Sequence, residues 1–339
     1  MKLVKTEEAV GHVLCHDMTQ IIPGVMKDAG FRKGHIVTKA DIPVLLSMGK
    51  EHLYVWEKRP GMLHEDEAAE ILFAICHGAN TCRKAPPKEG KIELIAACDG
   101  LFRIEREGLR AVNALREMII AARTGDFAVK KGDSLGATRV IPLVIEAEKM
   151  AAARAAAGDK PLFSVLPFQK KKVGIITTGN EVFTGRVADA FGPAIRQKLA
   201  EYDAEVLGQT ILGDDPDTIA AQIAAYIDQG ADMVLCTGGM SVDPDDTTPT
   251  AIQRSGAQII SYGAPVLPGA MFLLAYRGEV PVMGLPGCVM YDKRTVFDLV
   301  LPRIMAGERL SREDLARYGE GGLCLNCPVC TFPNCGFGK

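Results

Sequence analysis

Three short apolar runs, each leading directly into a glycine turn, constrain this chain more than any other feature. Val173-Gly174-Ile175-Ile176-Thr177 runs into Thr178-Gly179-Asn180-Glu181, and Met233-Val234-Leu235-Cys236 into Thr237-Gly238-Gly239-Met240-Ser241. Pro281 to Leu285 leads in the same way into Pro286-Gly287-Cys288. Runs this short, with no polar alternation, are expected of strands buried on both faces. Helical spacing fills the intervals. Ile195, Leu199 and Tyr202 form one stripe, and Ile219, Ile223 and Ile227 form a second. Asp215-Pro216 opens that second helix and Gly230 stops it. Residues 247–254 read as a further helix, and Val289 to Met305 as a closing one with Phe297, Val300, Leu301 and Ile304 inward. Strands are also expected over 204–212, at 259–260 and over 271–276. The alternation predicts an α/β fold with an open, mainly parallel, doubly wound sheet.

Parallel strands bring the three glycine turns to one edge of the sheet, at the strands' carboxyl ends, where ligands bind in open α/β folds. Glycine lets backbone N–H groups approach an anion closely, which suits phosphate. Acidic residues gather near the same edge: Glu181 in the first turn, Asp214, Asp215 and Asp217 after the second strand, and Asp243, Asp245 and Asp246 after the double glycine. Carboxylates beside a phosphate pocket point to Mg²⁺, which takes one or two carboxylates plus substrate phosphates. Asp215 reads as a helix cap and Asp217 as solvated. Asp246 and Glu181 rank first as catalytic metal or substrate ligands, with Asp214 as a further metal candidate.

These residues carry a specific resemblance. Thr237-Gly238-Gly239-Met240-Ser241-Val242-Asp243-Pro244-Asp245-Asp246 resembles the signature of the molybdopterin-binding domain shared by molybdopterin adenylyltransferases and molybdopterin molybdenumtransferases. Thr178-Gly179-Asn180-Glu181 is similar to the molybdenumtransferase Thr-Gly-Asp-Glu, and Gly284-Leu285-Pro286-Gly287 to the family's later loop, with Cys288 where asparagine is usual. Of the family's Asp-Ser-Asn, Asp189 is retained. The amino terminus around Ala9 to Leu14 and Phe31 to Val55 resembles the molybdenumtransferases more weakly. The family's Ser-x-Met-Asp-Gly-Tyr-Ala run and its carboxy-terminal β domain are absent.

The resemblance implies a three-layer α/β/α domain. It implies cofactor contacts at Thr178, Gly179, Asn180, Asp189, Thr237, Gly238, Gly239, Ser241, Pro286 and Gly287. It also implies molybdopterin or its adenylate as ligand, molybdate as co-substrate, Mg²⁺ held by Glu181 and Asp246, and a homo-oligomer. Lys293 or Arg294 would steer the molybdate anion. The expected activity is insertion of molybdate with Mg²⁺-dependent release of AMP. The alternative is a non-catalytic carrier or maturation factor that brings the pterin to a molybdoenzyme. A nucleotide hydrolase acting on another pyrophosphate is a third reading.

Four segments are expected: an amino-terminal α+β segment over 1–58, an α+β region and linker over 59–168, the binding domain over 169–310, and a cysteine-rich tail over 311–339. In the first, Asp41 to Met48 reads as a helix, Glu51 to Val55 as a strand, and Trp56 as a packing residue. In the second, Glu65 to His77, Gly108 to Arg123 and Ala147 to Ala157 read as helices, Gly132 to Ile145 as a strand pair, and Pro161 to Lys172 as a linker.

A formal charge of −3 argues against nucleic acid or an anionic membrane as partner. The start carries charge where a signal peptide needs an apolar run, and no stretch reaches the length of a membrane span, so a cytoplasmic protein is expected. Six of the 10 cysteines are scattered singly, as reduced thiols are. The other four, Cys324, Cys327, Cys330 and Cys335, are spaced C-x₂-C-x₂-C-x₄-C. This density predicts a metal site, either Zn²⁺ or an iron–sulfur cluster, against the alternative of a mobile tail of free thiols. The six histidines are spread without metal-ligand spacing.

Overall fold

The computed structural model of the chain describes residues 2–22, 26–55, 60–241, 243 and 246–339. Trp56, Val242, Pro244 and Asp245 lie outside them. The chain divides into two compact units. The first comprises 1–98, 103–123 and 130–165, and the second 99–102, 124–129 and 166–339. No helix among the described residues is long and apolar enough to cross a membrane.

The first unit is built from small antiparallel sheets. Strand Lys2–Lys5 pairs with His52–Val55, and helix Asp41–Ser47 packs on them through Leu45. A four-stranded sheet runs in the order Thr81–Arg83, Lys91–Ala96, Ser134–Val140, Met118–Ala122. Helix Glu65–Cys76 begins at His64, whose ring accepts from Asp66 N while Glu67 accepts from His64 N. Helix Ala147–Ala157 has the bounds expected.

Three expectations change here. The apolar period over 108–123 is a helix only over Arg106–Asn113 and then the strand Met118–Ala122. Residues 132–145 are not a strand pair: Ser134–Val140 pairs with 91–96 and 118–122, whereas Val144–Glu146 pairs with Met62–His64. The linker holds a strand, Phe163–Pro167, with Phe163 and Val165 fully buried.

The second unit carries the α/β sheet. Its elements are β1 (Lys172–Thr178), α1 (Asn180–Phe183), α2 (Phe191–Ala200), β2 (Glu205–Leu212), α3 (Pro216–Asp228), β3 (Met233–Thr237), α4 (Thr248–Arg254), β4 (Gln258–Tyr262), β5 (Leu273–Arg277), β6 (Val280–Leu285), α5 (Val296–Met305) and α6 (Arg312–Ala316). Strand order is β2-β1-β3-β6-β5-β4. The β2–β1, β1–β3 and β3–β6 pairs are parallel, and β6–β5 and β5–β4 antiparallel.

Alternation along each strand builds the layers. Val173, Ile175, Met233, Leu235, Met283 and Leu285 enter one core with Ile195 and Leu199 of α2 and the apolar side of α5. Ile176, Val234, Cys236 and Val282 enter the other with Ile219, Ile223 and Tyr226 of α3 and Ala251 and Ile252 of α4. Gly174 lets α3 approach β1, since a Cβ there would stand 2.4 Å from the Tyr226 ring.

The closing helix is shorter than its apolar pattern. A 3₁₀ turn spans Gly287–Met290, and α5 starts only at Val296, where Thr295 and Asp298 form a reciprocal cap. Asp298, 4 % exposed, also accepts from Lys198 Nζ at 2.7 Å and Arg294 Nη1 at 2.9 Å. After α6 the tail returns to the same unit: Phe337 is buried in the first core and Tyr318 OH donates to Leu299 O at 3.2 Å.

Candidate functional site

β1, β3 and β6 are consecutive parallel neighbours, so the three glycine turns stand side by side at the carboxyl edge. The chain leaves β1 to build β2 on one side and then crosses to β3 on the other, which places the reversal of strand order between β1 and β3. That is where a doubly wound sheet opens a crevice.

The first two turns are locked together through hydroxyls and backbone. Thr178, Thr237 and Thr248 are at most 1 % exposed. Thr248 Oγ1 lies 3.1 Å from Thr178 Oγ1 and donates to Gly238 O at 2.9 Å, and Thr248 N donates to Gly239 O at 3.2 Å. Gly238 has φ +81°, and a Cβ on it would stand 2.1 Å from Thr178 O. Glycine is therefore required there both by conformation and by space.

Gly179 precedes α1, and its carbonyl accepts from Val182 N at 3.1 Å and Phe183 N at 2.8 Å. Glu181 folds back over it: a Cβ on Gly179 would lie 2.8 Å from Glu181 Oε1. Asn180 and Asp214 clasp each other, with Asn180 N donating to Asp214 Oδ2 at 3.0 Å and Asp214 N to Asn180 Oδ1 at 3.4 Å. Asp214 O accepts from Thr247 Oγ1 at 2.6 Å. Asp214 thus ties the turns after β1 and β2 to the start of α4.

Asp246 is half-buried, and its Oδ2 accepts from Asp243 N at 3.2 Å. Tyr262 OH donates to Met240 O at 3.1 Å and Ser241 O at 3.2 Å, tethering exposed Ser241 to β4. Burial, and then the Asp246 charge, push the Tyr262 hydroxyl above its usual range. In the third turn Pro286 is buried and Gly287 exposed. Burial first, and the nearby Asp292 charge second, push the Cys288 thiol up to about 11.

Asp189 sits under the edge and faces its own helix. Its carboxylate accepts from Phe191 N at 2.9 Å, from Gly192 N at 3.2 Å and from Gln209 Nε2 at 2.6 Å. Gln209 Nε2 also donates to Thr177 Oγ1 at 3.0 Å. Asp215 caps α3 by accepting from Thr218 N at 2.9 Å. Arg294 is engaged with Glu201 and Asp298, which leaves exposed Lys293 as the cation beside the third turn.

The structure thus joins Thr178, Gly179, Asn180, Asp214, Gly238 and Gly239 in one network, and brings Pro286 and Gly287 alongside by strand adjacency. Sequence reasoning ranked none of Thr248, Gln209 and Tyr262 as a site residue, although Thr248 closes the motif that begins at Thr237. Only Thr248 had a signal, a threonine directly before the proline that opens a helix. Among the described residues no three His, Cys, Asp or Glu side chains stand close enough together in this structure to ligate one metal ion.

Residues 174–306 match the family model described as "Probable molybdopterin binding domain", and residues 3–57 match a domain family of unknown function, DUF8806. A CinA-like protein of Mycobacterium avium (strain 104) is 43 % identical over 83 residues, which are 24 % of this chain and 19 % of that protein. A CinA-like protein of Mycobacterium tuberculosis (strain ATCC 25177 / H37Ra) is 41 % identical over 83 residues, again 19 % of its own length. The match therefore spans under a fifth of these curated relatives. Among solved structures, the molybdopterin biosynthesis enzyme MoaB of Thermus thermophilus is 24 % identical, covering 41 % of this chain and 98 % of that one, with a TM-score of 0.35. A CinA protein of unknown function from Thermoplasma acidophilum is 21 % identical, covering 35 % and 89 %, with a TM-score of 0.30. Superposition at that level is too loose to add to the sequence match. Along its α/β sheet, this chain is similar to the molybdopterin-binding domain family, as its glycine motifs indicate.

Proposed function

We propose that the second unit acts in molybdenum cofactor biosynthesis, binding the phosphate end of molybdopterin or its adenylate at the edge formed by Gly179, Gly238, Gly239 and Gly287. The observation that carries this reading is the adjacency of the three glycine turns on consecutive parallel strands. Glycine leaves the backbone of these turns bare toward a phosphate except at Gly179, over which the Glu181 carboxylate folds, and the threonines beneath are already paired with each other and with carbonyls. The threonine pair beneath the turns therefore needs no rearrangement when charge arrives.

Glu181 and Asp246 are the carboxylates that would hold Mg²⁺. Their all-oxygen donor set suits a hard cation that takes one or two carboxylates and completes its shell with phosphate and water. When bound, Mg²⁺ supplies charge neutralisation on the phosphates. Asp214 also serves this site by positioning Asn180 through one carboxylate oxygen, Oδ2. Lys293 is the cation placed to attract molybdate. The reaction we assign is molybdate insertion with release of AMP.

The test is incubation of the full chain with adenylated molybdopterin, Mg²⁺ and molybdate, following AMP by chromatography. Molybdate-dependent AMP release is expected, and Asp246→Asn should reduce it roughly a hundredfold or more with the fold intact. Undiminished release by that variant removes Asp246 from the mechanism. Retained pterin with no AMP from the wild type replaces the enzyme by a carrier of pterin to a molybdoenzyme.

A further inference from the structure

Between Gly321 and Gly338 the chain makes a loop within the second unit. The neck of this excursion is tied shut: Leu267 N donates to Gly322 O at 2.8 Å, Cys324 N to Leu267 O at 2.8 Å, and Gly338 N to Gly321 O at 2.9 Å. Its return is seated in the core. Phe337 is 3 % exposed, and Phe332 lies 5.8 Å from the Phe127 ring and 5.0 Å beneath the Arg294 guanidinium.

Apolar packing seats the ends of the loop through Cys324, Phe332, Cys335 and Phe337, but its middle, 325–331, is exposed. Residues 324–335 form no helix or strand, and Leu325 and Val329 are 79 % and 74 % exposed. A segment that buries so little surface needs a cross-link or a bound ion to hold one shape. The groups able to supply one are thiols. Cys324, Cys327, Cys330 and Cys335 all line a single cavity of about 190 Å³ together with Lys293 and Arg294. Cys324 and Cys335 pack against the core, Cys327 and Cys330 are exposed on the span between them, and none is in a disulfide. Asn326, at φ +51°, turns the chain between the first two cysteines.

We propose that these four cysteines form a thiolate-bound metal centre for a soft cation, zinc or the iron of an iron–sulfur cluster, mounted on the second unit. The ligand chemistry excludes Mg²⁺, which prefers oxygen, and selects metals that take sulfur. Two ligands are anchored on the core and two ride on a loop with a fixed neck. The four thiols line one cavity without being gathered for ligation, so capture requires the exposed pair to close on the anchored pair. Each thiol gives its proton to solvent as it binds. The finished centre carries net negative charge; of Lys293 and Arg294 on the same cavity wall, exposed Lys293 complements it, while Arg294 is already paired with Glu201 and Asp298. Both follow the 3₁₀ turn after β6, so the centre stands at the strand end that carries Gly287, though it does not depend on what binds there.

The experiment uses the full chain purified anaerobically, as wild type and as the single variants Cys327→Ser and Cys330→Ser. The exposed pair is chosen so that the core seats stay intact. Zinc, iron and acid-labile sulfide are measured, and the metal-stripped protein is titrated with Co²⁺, whose tetrahedral thiolate complexes absorb intensely. We expect about one centre per chain in the wild type and a roughly tenfold or greater loss of bound metal in each variant, with circular dichroism unchanged. Zinc without sulfide identifies a zinc site, and iron with matching sulfide a cluster. A wild type that holds neither metal and gives no cobalt–thiolate absorption overturns the proposal. So does full metal content in both variants, or mass spectrometry showing the four cysteines joined as disulfides.

Discussion

Two polar recesses, one in each unit, handle charge in opposite ways. At the glycine edge of the second unit the deeply buried polar groups are neutral and paired: Thr178 with Thr248, Thr248 with Gly238 O, and Thr237 with Ile176 O. The cavity of about 390 Å³ in the first unit is lined by His16, Lys50, Glu65, Glu89 and Arg139 among others. There two of the protein's own ionisable groups, Glu65 and His16, are drawn out of water, while Arg139 stays exposed. Glu65 is 8 % exposed, and burial, reinforced by the Asp66 charge, pushes its carboxyl up to about 7. Burial also holds His16 below the usual histidine range, and its Nδ1 is buried without a hydrogen-bond partner among the described residues. The first recess keeps its deepest groups neutral, with Glu181, Asp214 and Asp246 exposed or half-buried at its rim. The second carries ionisable groups at a cost in stability.

The largest effect is expected where the glycine edge depends on close backbone approach. Gly238→Ala puts a Cβ 2.1 Å from Thr178 O at φ +81°, and should cost about 4 kcal/mol or more in urea unfolding. Gly230→Ala is the matched control, with φ +88° and nothing within 4 Å. It should cost only about 1 kcal/mol, the conformational part alone. Equal losses in the two variants would show that contact with β1 does not set the shape of the turn.

The acidic recess should respond in the opposite direction. Folded Glu65 keeps its proton until about pH 7, whereas the unfolded chain releases it in the ordinary carboxyl range. The folded state therefore binds more protons between those values, and stability falls as pH rises through that window. Glu65→Gln removes the penalty, so it should stabilise the protein by up to ~3 kcal/mol at about pH 8 and by almost nothing at about pH 4. Denaturant midpoints at the two pH values measure this. A pH-independent difference would mean that packing, not charge, distinguishes the two side chains.

What was legible in the sequence follows the same division. Strands β1, β3 and β6 of the second unit are mostly apolar and lead into glycine turns, so Val173 to Thr177 is readable as a buried strand and the turn after it as an edge. In the first unit local pattern competes with distant pairing. The helical period through 108–123 is broken because Asn113 bonds the backbone of Ile120 through both side-chain atoms, at 2.8 Å each, and the β-branched Ile119 and Ile120 pair with Ser134–Val140. The linker read over 161–172 missed a strand because Phe163 and Val165 lie among prolines and lysines. At the site, the glycines could be read from sequence, since their role is set by the strand before them. The commitments of Asp189 and Asp214 could not, because their partners, Gln209 and Asn180, are fixed only by the order of strands.

The smallest effect separates preorganisation from mere support at the glycine edge. Thr248→Val keeps shape but removes the hydroxyl that donates to Gly238 O at 2.9 Å and meets Thr178 Oγ1 at 3.1 Å. A buried neutral hydrogen bond of this kind contributes about 1 kcal/mol net, and the groups left unpaired raise the loss to about 1–2 kcal/mol. Thr248→Ser restores the hydroxyl and should recover most of it. Pterin affinity is the decisive second readout. If the hydroxyl pair holds the turns ready for phosphate, Val should weaken adenylated molybdopterin binding several-fold while Ser does not. If Val lowers stability alone, with affinity unchanged, the threonines only brace the sheet. The contrast between a recess neutral at its depth and one that buries its own ionisable groups would then rest on the glycine backbone by itself.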